Sequence, residues 1–173
     1  MRRTDGVTVR DATTADAAAI CRIYNQGTQD RGATLETEER TVEERRAWLE
    51  ARDGRHPVLV AVADGALAGW ASLNLFNPRR AYDHVADFSI YVDREWRGRG
   101  VGRRLLDALI GRARALGYHK LVLSAFPWNA AGMAVYKRAG FREVGVYREP
   151  GRLDGRWVDT VVMEKILEGP HAD

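Results

Sequence analysis

The stretch Asp87-Phe-Ser-Ile-Tyr-Val-Asp-Arg-Glu-Trp-Arg-Gly-Arg-Gly-Val-Gly-Arg-Arg104, continuing as Leu105-Leu-Asp-Ala-Leu-Ile-Gly-Arg-Ala-Arg-Ala-Leu116, decides how the rest of the chain is read. Phe88 to Val92 is a short β-favouring run. A loop holding Gly98, Gly100 and Gly102 follows. Leu105, Leu106, Leu109, Ile110, Ala113 and Leu116 then recur at the spacing of one helix face. A strand that gives way through glycines to a helix start gathers bare backbone N–H groups and a positive dipole end at one point, which is where phosphate binds. Arg97, Arg99, Arg103 and Arg104 add guanidinium groups able to pair with phosphate oxygens. Two familiar phosphate loops do not fit. No Lys-Ser or Lys-Thr is present for a P-loop, and the glycines read Gly-x-Gly-x-Gly instead of Gly-x-Gly-x-x-Gly.

The chain of 173 residues is long enough for one domain with a real core and short for two, so residues 1–173 are expected to form a single domain with its core at about 7–167. A hydrophobic share of 45% and a charged share of 29% are ordinary for a soluble protein. The net charge of +3 suits an anionic ligand and is too small to imply nucleic acid. The single Cys21 excludes an internal disulfide and reads as inert packing. No apolar segment follows the charged Met-Arg-Arg-Thr-Asp-Gly start, so no signal peptide is expected. The longest apolar run, Val58 to Ala63, is far below a membrane span. The expectation is a cytoplasmic enzyme with no membrane attachment.

Taken in order, Val7 to Arg10 reads as a strand, and Thr13-x-x-Asp16 as a capping-box start for a helix with Ala17, Ile20, Cys21 and Tyr24 on one face. Asn25-Gln-Gly27 is expected to end that helix, with a surface loop over 28–40. Thr41-x-x-Glu44 opens a second helix through Trp48 and Leu49. Pro57 to Ala63 and Leu67 to Leu75 read as strands joined by Asp64-Gly65, a strong hairpin signal. Asp87 to Val92 and Leu121 to Ser124 are further strands. Asn129 can cap a helix to about Arg138, stopped by Gly140. Phe141 to Tyr147 and Trp157 to Ile166 form a closing pair linked through Pro150 to Gly155. The order β-α-α-β-β-β-α-β-α-β-β gives a mixed α/β fold with a partly antiparallel sheet.

Arg97-x-x-Gly100-x-Gly102 after a strand resembles the acyl-CoA pyrophosphate loop of the GNAT superfamily of N-acetyltransferases. Ala-Tyr-Asp (81–83), Ser-Ile-Tyr-Val (89–92), Pro-Trp-Asn (127–129), Ala-Gly-Phe (139–141) and Asp-Gly-Arg-Trp-Val-Asp (154–159) are similar to phosphinothricin N-acetyltransferases and their relatives acting on methionine sulfoximine, methionine sulfone and arsinothricin. Ile23-Tyr-Asn25 and Ala33-Thr-Leu-Glu36 extend the match to roughly 7–167.

The resemblance implies the GNAT fold, a central, mostly antiparallel sheet flanked by helices. It also implies acetyl-CoA as acyl donor, a small amino-acid analogue as amine acceptor, a detoxification or resistance role, and a homodimer. It places Gly98 through Arg103, Val101 included, on the pyrophosphate. Ile90, Tyr91 and Val92 would line the pantetheine arm, with a backbone N–H there polarising the thioester carbonyl. Asn129 would touch the arm, unless it is only a helix cap. Tyr136, seven residues on and so on the same helix face, would protonate the leaving thiolate, unless it is only core. Several phosphinothricin acetyltransferases carry His at that position.

Asp87 stands where the subfamily has Glu, and it would take the amine proton through a water or anchor the substrate ammonium. A free carboxylate near pKa 4 is a weak base unless burial raises it. The remaining alternative for Asp87 is a solvated strand-edge acid. Zwitterionic substrates with a second oxyanion need cationic recognition. Arg79 and Arg80 beside Ala81 and Tyr82, with Thr34, Leu35 and Phe76, are the expected acceptor contacts. Arg156 and Trp157 would add to them, in cis or across a subunit boundary. His56, His84, His119 and His171 show no metal-ligand spacing, and no metal is expected. Three other functions share these features: a GNAT enzyme for a polyamine, aminoglycoside or protein N-terminus, a non-catalytic CoA-binding module, and an Arg/Gly-type nucleic-acid binder.

Overall fold

In the computed structural model, which describes residues 6–167, Thr8–Asp11 (β1) pairs antiparallel with Val58–Ala63 (β2), and β2 turns into Ala66–Leu75 (β3). The turn residues Asp64 and Gly65 both take positive φ, 50° and 76°, as a hairpin turn matched to strand twist requires. Strand Val85–Val92 (β4) runs antiparallel to β3, from Leu75 opposite Ala86 to Gly69 opposite Val92. Lys120–Ala125 (β5), Arg142–Leu153 (β6) and Arg156–Ile166 (β7) complete one seven-stranded sheet in the order β1-β2-β3-β4-β5-β7-β6. Its one parallel contact joins β4 to β5. That contact holds for three pairs, Val85 to Lys120, Ala86 to Leu121 and Asp87 to Val122, and then stops, although both strands continue.

Helices cover the sheet on both faces. Val101–Ala115 (α3, the third helix) lays Leu105, Leu106, Leu109, Ile110 and Ala113 on Ala71, Leu73, Ala86, Phe88 and Leu121. Each such leucine contributes roughly 1.5–3 kcal/mol by leaving water, so this stripe is the main anchor of the region. Ala17–Gln29 (α1) covers the opposite face with Ile20, Ile23 and Tyr24 over Val58, Val60, Trp70 and Tyr91. Val42–Glu50 (α2) starts at a realised capping box: the Glu44 N–H donates to Thr41 Oγ1 (3.2 Å), and the Thr41 N–H donates to the Glu44 carboxylate (2.6 Å). Ala130–Arg138 (α4) is the fourth helix, and Gly140, at φ 89°, closes it.

Three boundaries differ from the sequence reading. Gly27 does not end α1, which runs on to Gln29, so residues 28 and 29 are helical and the loop begins at Asp30. Gly27 answers a packing demand instead: a Cβ there would stand 3.0 Å from Cδ1 and Cε1 of the Tyr91 ring. The segment from Pro150 to Leu153 is strand and not linker. Pro150 falls in a bulge between Tyr147 and Gly151, where its missing N–H costs no ladder bond, and the turn is confined to Asp154-Gly155 (φ 48° and 79°). The strand before the glycine loop begins at Val85, so Asp87 is its third residue. The first five residues and His171 lie outside the described residues.

Gly27→Val makes the packing demand testable. The swap pushes a branched side chain into the Tyr91 ring, a cost of about 1–3 kcal/mol. That outweighs the helix-propensity gain over glycine of a few tenths of a kcal/mol. A thermal melt is expected to show a lower midpoint.

Candidate active site

The parting of β4 from β5 builds the site. Asp93 N–H donates to the Ala68 carbonyl of β3 at 2.9 Å. Because backbone direction alternates along a strand, Tyr91 and Ser89 also turn their N–H and C=O groups to β3, while Val92 and Ile90 turn theirs to the gap that β5 has left. Their side chains pack under α3, and the Tyr91 ring stacks on Trp70 at 4.7 Å on the other face. Ile90 and Val92 therefore present their backbone to the cavity, as a free strand edge.

That edge leads into the glycine loop. Gly98 and Gly100 take φ of 71° and 82°, and Gly100 is the N-cap of α3. Gly102 lies in the first turn of the helix. Arg104 N–H reaches back to Gly100 C=O at 3.2 Å, whereas the N–H groups of Val101, Gly102 and Arg103 precede the first intrahelical bond and have no helical acceptor. The first turn holds no acidic side chain to neutralise the dipole. A tight backbone turn with several N–H groups converging on one point fits a diphosphate.

A cavity of about 570 Å³ runs from this loop along β4 to α4. All the residues expected on the acyl donor except Arg99 line it: Ile90, Tyr91, Val92, Arg97, Gly98, Gly100, Val101, Gly102, Arg103 and Asn129. Arg99 lies outside, its guanidinium 5.1 Å over the Trp96 ring. Asn129 caps α4, its Oδ1 accepting from Gly132 N–H at 3.0 Å, and the residue also lines the cavity.

The loop arginines are not free. Arg97 pairs with Asp30 at 2.7 Å and donates to Val92 C=O at 3.2 Å, Arg103 grips Asp107 at 2.8 Å, and Arg104 reaches Val7 C=O at 3.3 Å. Asp30 and Arg138 line the cavity and were not singled out from the sequence. Arg138 has no ion-pair partner among the described residues.

Asp87 is the last residue of β4 still paired with β5, and it faces Asn74 across β3. Burial raises its carboxyl to about 6, against 3.8 when exposed, and a hydrogen bond from Asn74 partly offsets the rise. The half-buried phenol of Tyr136 lines the cavity against Phe88 and Phe141, with ring centroids at 6.0 and 6.2 Å. Burial pushes this phenol up to about 12, and the Asp87 charge adds to the shift. The two expected catalytic groups thus share one electrostatic neighbourhood at the mouth of the splay. Asp87 is a carboxylate that exchanges its proton near neutral pH, and Tyr136 a phenol that keeps its own.

None of the nine expected acceptor contacts lines the cavity. Thr34 Oγ1 accepts from the Glu36 N–H at 3.1 Å, and Leu35 packs where a Cβ on Gly151 of β6 would stand, at 2.9 Å. Phe76 and Tyr82 form an edge-on ring pair at 5.6 Å, with Arg79, Arg80 and Ala81 exposed beside them. Arg156 is exposed on the β6–β7 hairpin, and Trp157 lies under the Arg152 guanidinium at 5.1 Å. Arg31 joins the loop after α1 to the hairpin tip through a two-pronged pair with Asp154 (2.9 and 3.1 Å). Cys21 matches its expected packing role: its thiol lies 3.1 Å from the Arg40 carbonyl, and burial pushes it up. Among the described residues no group of three or more His, Cys, Asp or Glu side chains stands together to hold a metal, and no helix is long and apolar enough to cross a membrane.

The raised Asp87 carboxyl gives a stability test whose sign is fixed. The folded chain keeps this proton to higher pH than the unfolded chain, so stability falls as pH rises from about 4 to about 6. Above that range the full cost stands, at most ~3 kcal/mol at 1.36 kcal/mol per pH unit. Asp87→Asn is expected to raise the denaturant midpoint at about pH 8 and to leave it unchanged at about pH 4.

Residues 18–141 match the family model described as Acetyltransferase (GNAT) family. An L-methionine sulfoximine/L-methionine sulfone acetyltransferase of Pseudomonas paraeruginosa is 36% identical over 162 residues, covering 92% of this chain and 94% of the relative. A GNAT superfamily phosphinothricin acetyltransferase from Sinorhizobium meliloti, solved in complex with AcCoA, superposes with a TM-score of 0.90 at 32% identity, over 97% of this chain and 92% of that one. A ribosomal-protein-alanine N-acetyltransferase from Brucella melitensis superposes with a TM-score of 0.89 at 39% identity, over 92% and 99%.

Proposed function

The chain belongs to the acetyltransferase (GNAT) family, with acetyl-CoA as its acyl donor, and on that premise we propose that it acetylates the α-amine of a small amino-acid analogue of the phosphinothricin or methionine sulfoximine kind. The observation that carries the reading is the free edge of β4 opening at Asp87 and ending at the Gly98–Gly102 turn. Bound there, acetyl-CoA supplies an activated acetyl thioester. The N–H groups of Ile90 and Val92 are the donors available to hold the pantetheine arm and polarise the thioester carbonyl. Val101, Gly102 and Arg103 offer theirs to the diphosphate.

Asp87, ionised above about pH 6, takes the proton from the acceptor ammonium, directly or through one water. The neutral amine then attacks directly in a ternary complex, and the C–S bond breaks as the C–N bond is completed. Tyr136 donates its hydroxyl hydrogen to the departing sulfur, and the proton that the nitrogen sheds on becoming an amide restores the phenol. The two groups are coupled. Once Asp87 has gained the amine proton, the negative charge that helped hold the Tyr136 proton is gone, and the phenol becomes a better acid at the moment it must give.

Recognition of the acceptor is assigned to Arg79, Arg80 and Phe76 with Tyr82 on one side and to Thr34, Leu35, Arg156 and Trp157 on the other. Of these, Arg80 is the leading candidate for the second anionic group of the substrate. The biological role proposed is detoxification in the cytoplasm. A homodimer is proposed from the exposed edge strand β6, where Val144, Val146 and Tyr147 are 53%, 50% and 62% exposed. A protein N-terminus is the second reading for the acceptor, supported by the ribosomal-protein-alanine acetyltransferase likeness.

Thiol release from acetyl-CoA is expected with at least one of phosphinothricin, methionine sulfoximine and methionine sulfone. Turnover with none of them, alongside acetylation of an alanine-ended peptide, selects the second reading. Tyr136→Phe is expected to lower kcat by roughly 10²-fold or more with little change in acetyl-CoA KM, and an unchanged kcat removes Tyr136 from the protonation step. The acidic limb of kcat/KM is expected to rise through about pH 6, following Asp87.

A further inference from the structure

Asp30 follows the last residue of α1, at the helix end where the backbone dipole already makes the surroundings negative. A carboxylate at that end is stable only with cations beside it, and Asp30 has two. Arg94 grips it through Nε (3.0 Å) and a terminal nitrogen (2.6 Å), and Arg97 adds a bond of 2.7 Å. These two arginines hold the carboxyl down to about 2, so it is charged at every working pH. Arg94 also donates to Gln29 at 2.8 Å, while Arg97 spends its Nε on the Val92 carbonyl. Asp30 and Arg97 line the same cavity as Gly98, Gly100 and Gly102. The Asp30 side chain is 30% exposed, which leaves it open to exchange with an incoming anion.

We propose that Asp30 sets the affinity for the acyl donor: its carboxylate occupies, at Arg97 and Arg94, the place a phosphate oxygen would take, so that a diphosphate binds by exchange against an internal anion. This rests on the assignment of the diphosphate to the glycine loop. A negative charge beside two guanidinium groups cancels much of their field, so the donor's own negative charge meets a weaker attraction there and is repelled by the carboxylate itself. Taking that charge away while keeping the shape of the side chain leaves Arg97 uncompensated in the cavity lining and Arg94 uncompensated beside it. A pure bracing role for Asp30, tying α1 to the β4–α3 connection, has the opposite consequence, because loss of the ion pairs would loosen the cradle.

Calorimetric titration of CoA into the wild type, Asp30→Asn and Glu43→Gln separates the two. Glu43→Gln makes the same charge change on the exposed face of α2, at a carboxylate with no ion pair among the described residues. Asp30→Asn is expected to bind CoA roughly five- to tenfold more tightly at low ionic strength. The gain should shrink towards parity near ~1 M salt, where the screening length falls to ~3 Å. Glu43→Gln should match the wild type. The KM for acetyl-pantetheine, which has no diphosphate, should not change in Asp30→Asn. Unchanged or weaker CoA binding in an Asp30→Asn protein with a normal melt overturns the proposal, as does an equal gain for acetyl-pantetheine. If Asp30→Asn melts early, Asp30→Ala below its own transition must show the same sign. Absence of CoA binding in the wild type itself overturns the glycine-loop assignment instead.

Discussion

The structure turns on the pairing that β4 gives up. After Asp87 and Val122 the two parallel strands part, leaving the N–H and C=O groups of Ile90 and Val92 without strand partners. An open edge inside a sheet is costly, because buried backbone groups need hydrogen bonds and unpaired edges invite other strands. It persists because each strand is secured from its far side. The continuous β3 ladder and the α3 leucine stripe hold β4, and an unbroken antiparallel ladder to β7 holds β5. The strands cannot close on each other without breaking one of those ladders. The gap is therefore a fixed feature of the fold, and its free edge is the natural mate for an amide-bearing arm.

The same parting explains the electrostatics. A carboxylate at the last paired position sits between a sheet that has closed and a cleft that has opened. It loses much of its hydration, and its residue is not itself part of the cavity lining. That placement raises Asp87 to about 6, and Asn74 on the neighbouring strand limits the rise. Tyr136 comes from α4 on the other side of the cleft, between Phe88 and Phe141, and its phenol is held neutral by burial and by the charge of Asp87. Burial is the larger cause of both shifts. Each follows from where the splay begins and what covers it.

How much of this the sequence discloses depends on the range of the interaction. The β3 hairpin, both capping boxes, the α3 stripe and the stop at Gly140 are local patterns, and the structure repeats them nearly residue for residue. Gly27 was misread because a glycine at a helix end and a glycine under an aromatic ring look alike until the ring's position is known, and Tyr91 lies far along the chain. Pro150 likewise reads as a linker unless the edge strand's bulge is visible. In the site, the backbone cradle was legible because its signal is carried by consecutive residues. The arginine partners were not, since Asp30 meets Arg94 and Arg97 only after α1 and α3 have docked on their sheet faces. The expected acceptor residues are dispersed over two surface loops and a hairpin, a distribution that motif likeness alone does not reveal.

The neutralised arginines make sense for an enzyme that must turn over. The diphosphate takes no part in bond making, and it is the same in the acetylated donor and in the thiol that remains. Any affinity gained there stabilises substrate, transition state and product equally, and tightening it past the working concentration only slows release. In the cradle, backbone N–H groups that cannot be neutralised give direction. Side-chain cations whose charge is already matched by Asp30 and Asp107 limit the overall pull. Specific aim and moderate grip are thus carried by different groups. Under the proposed assignment of the diphosphate to this loop, that division has the glycine turn fix where the sulfur ester points and the ion pairs around it set how long the spent carrier stays.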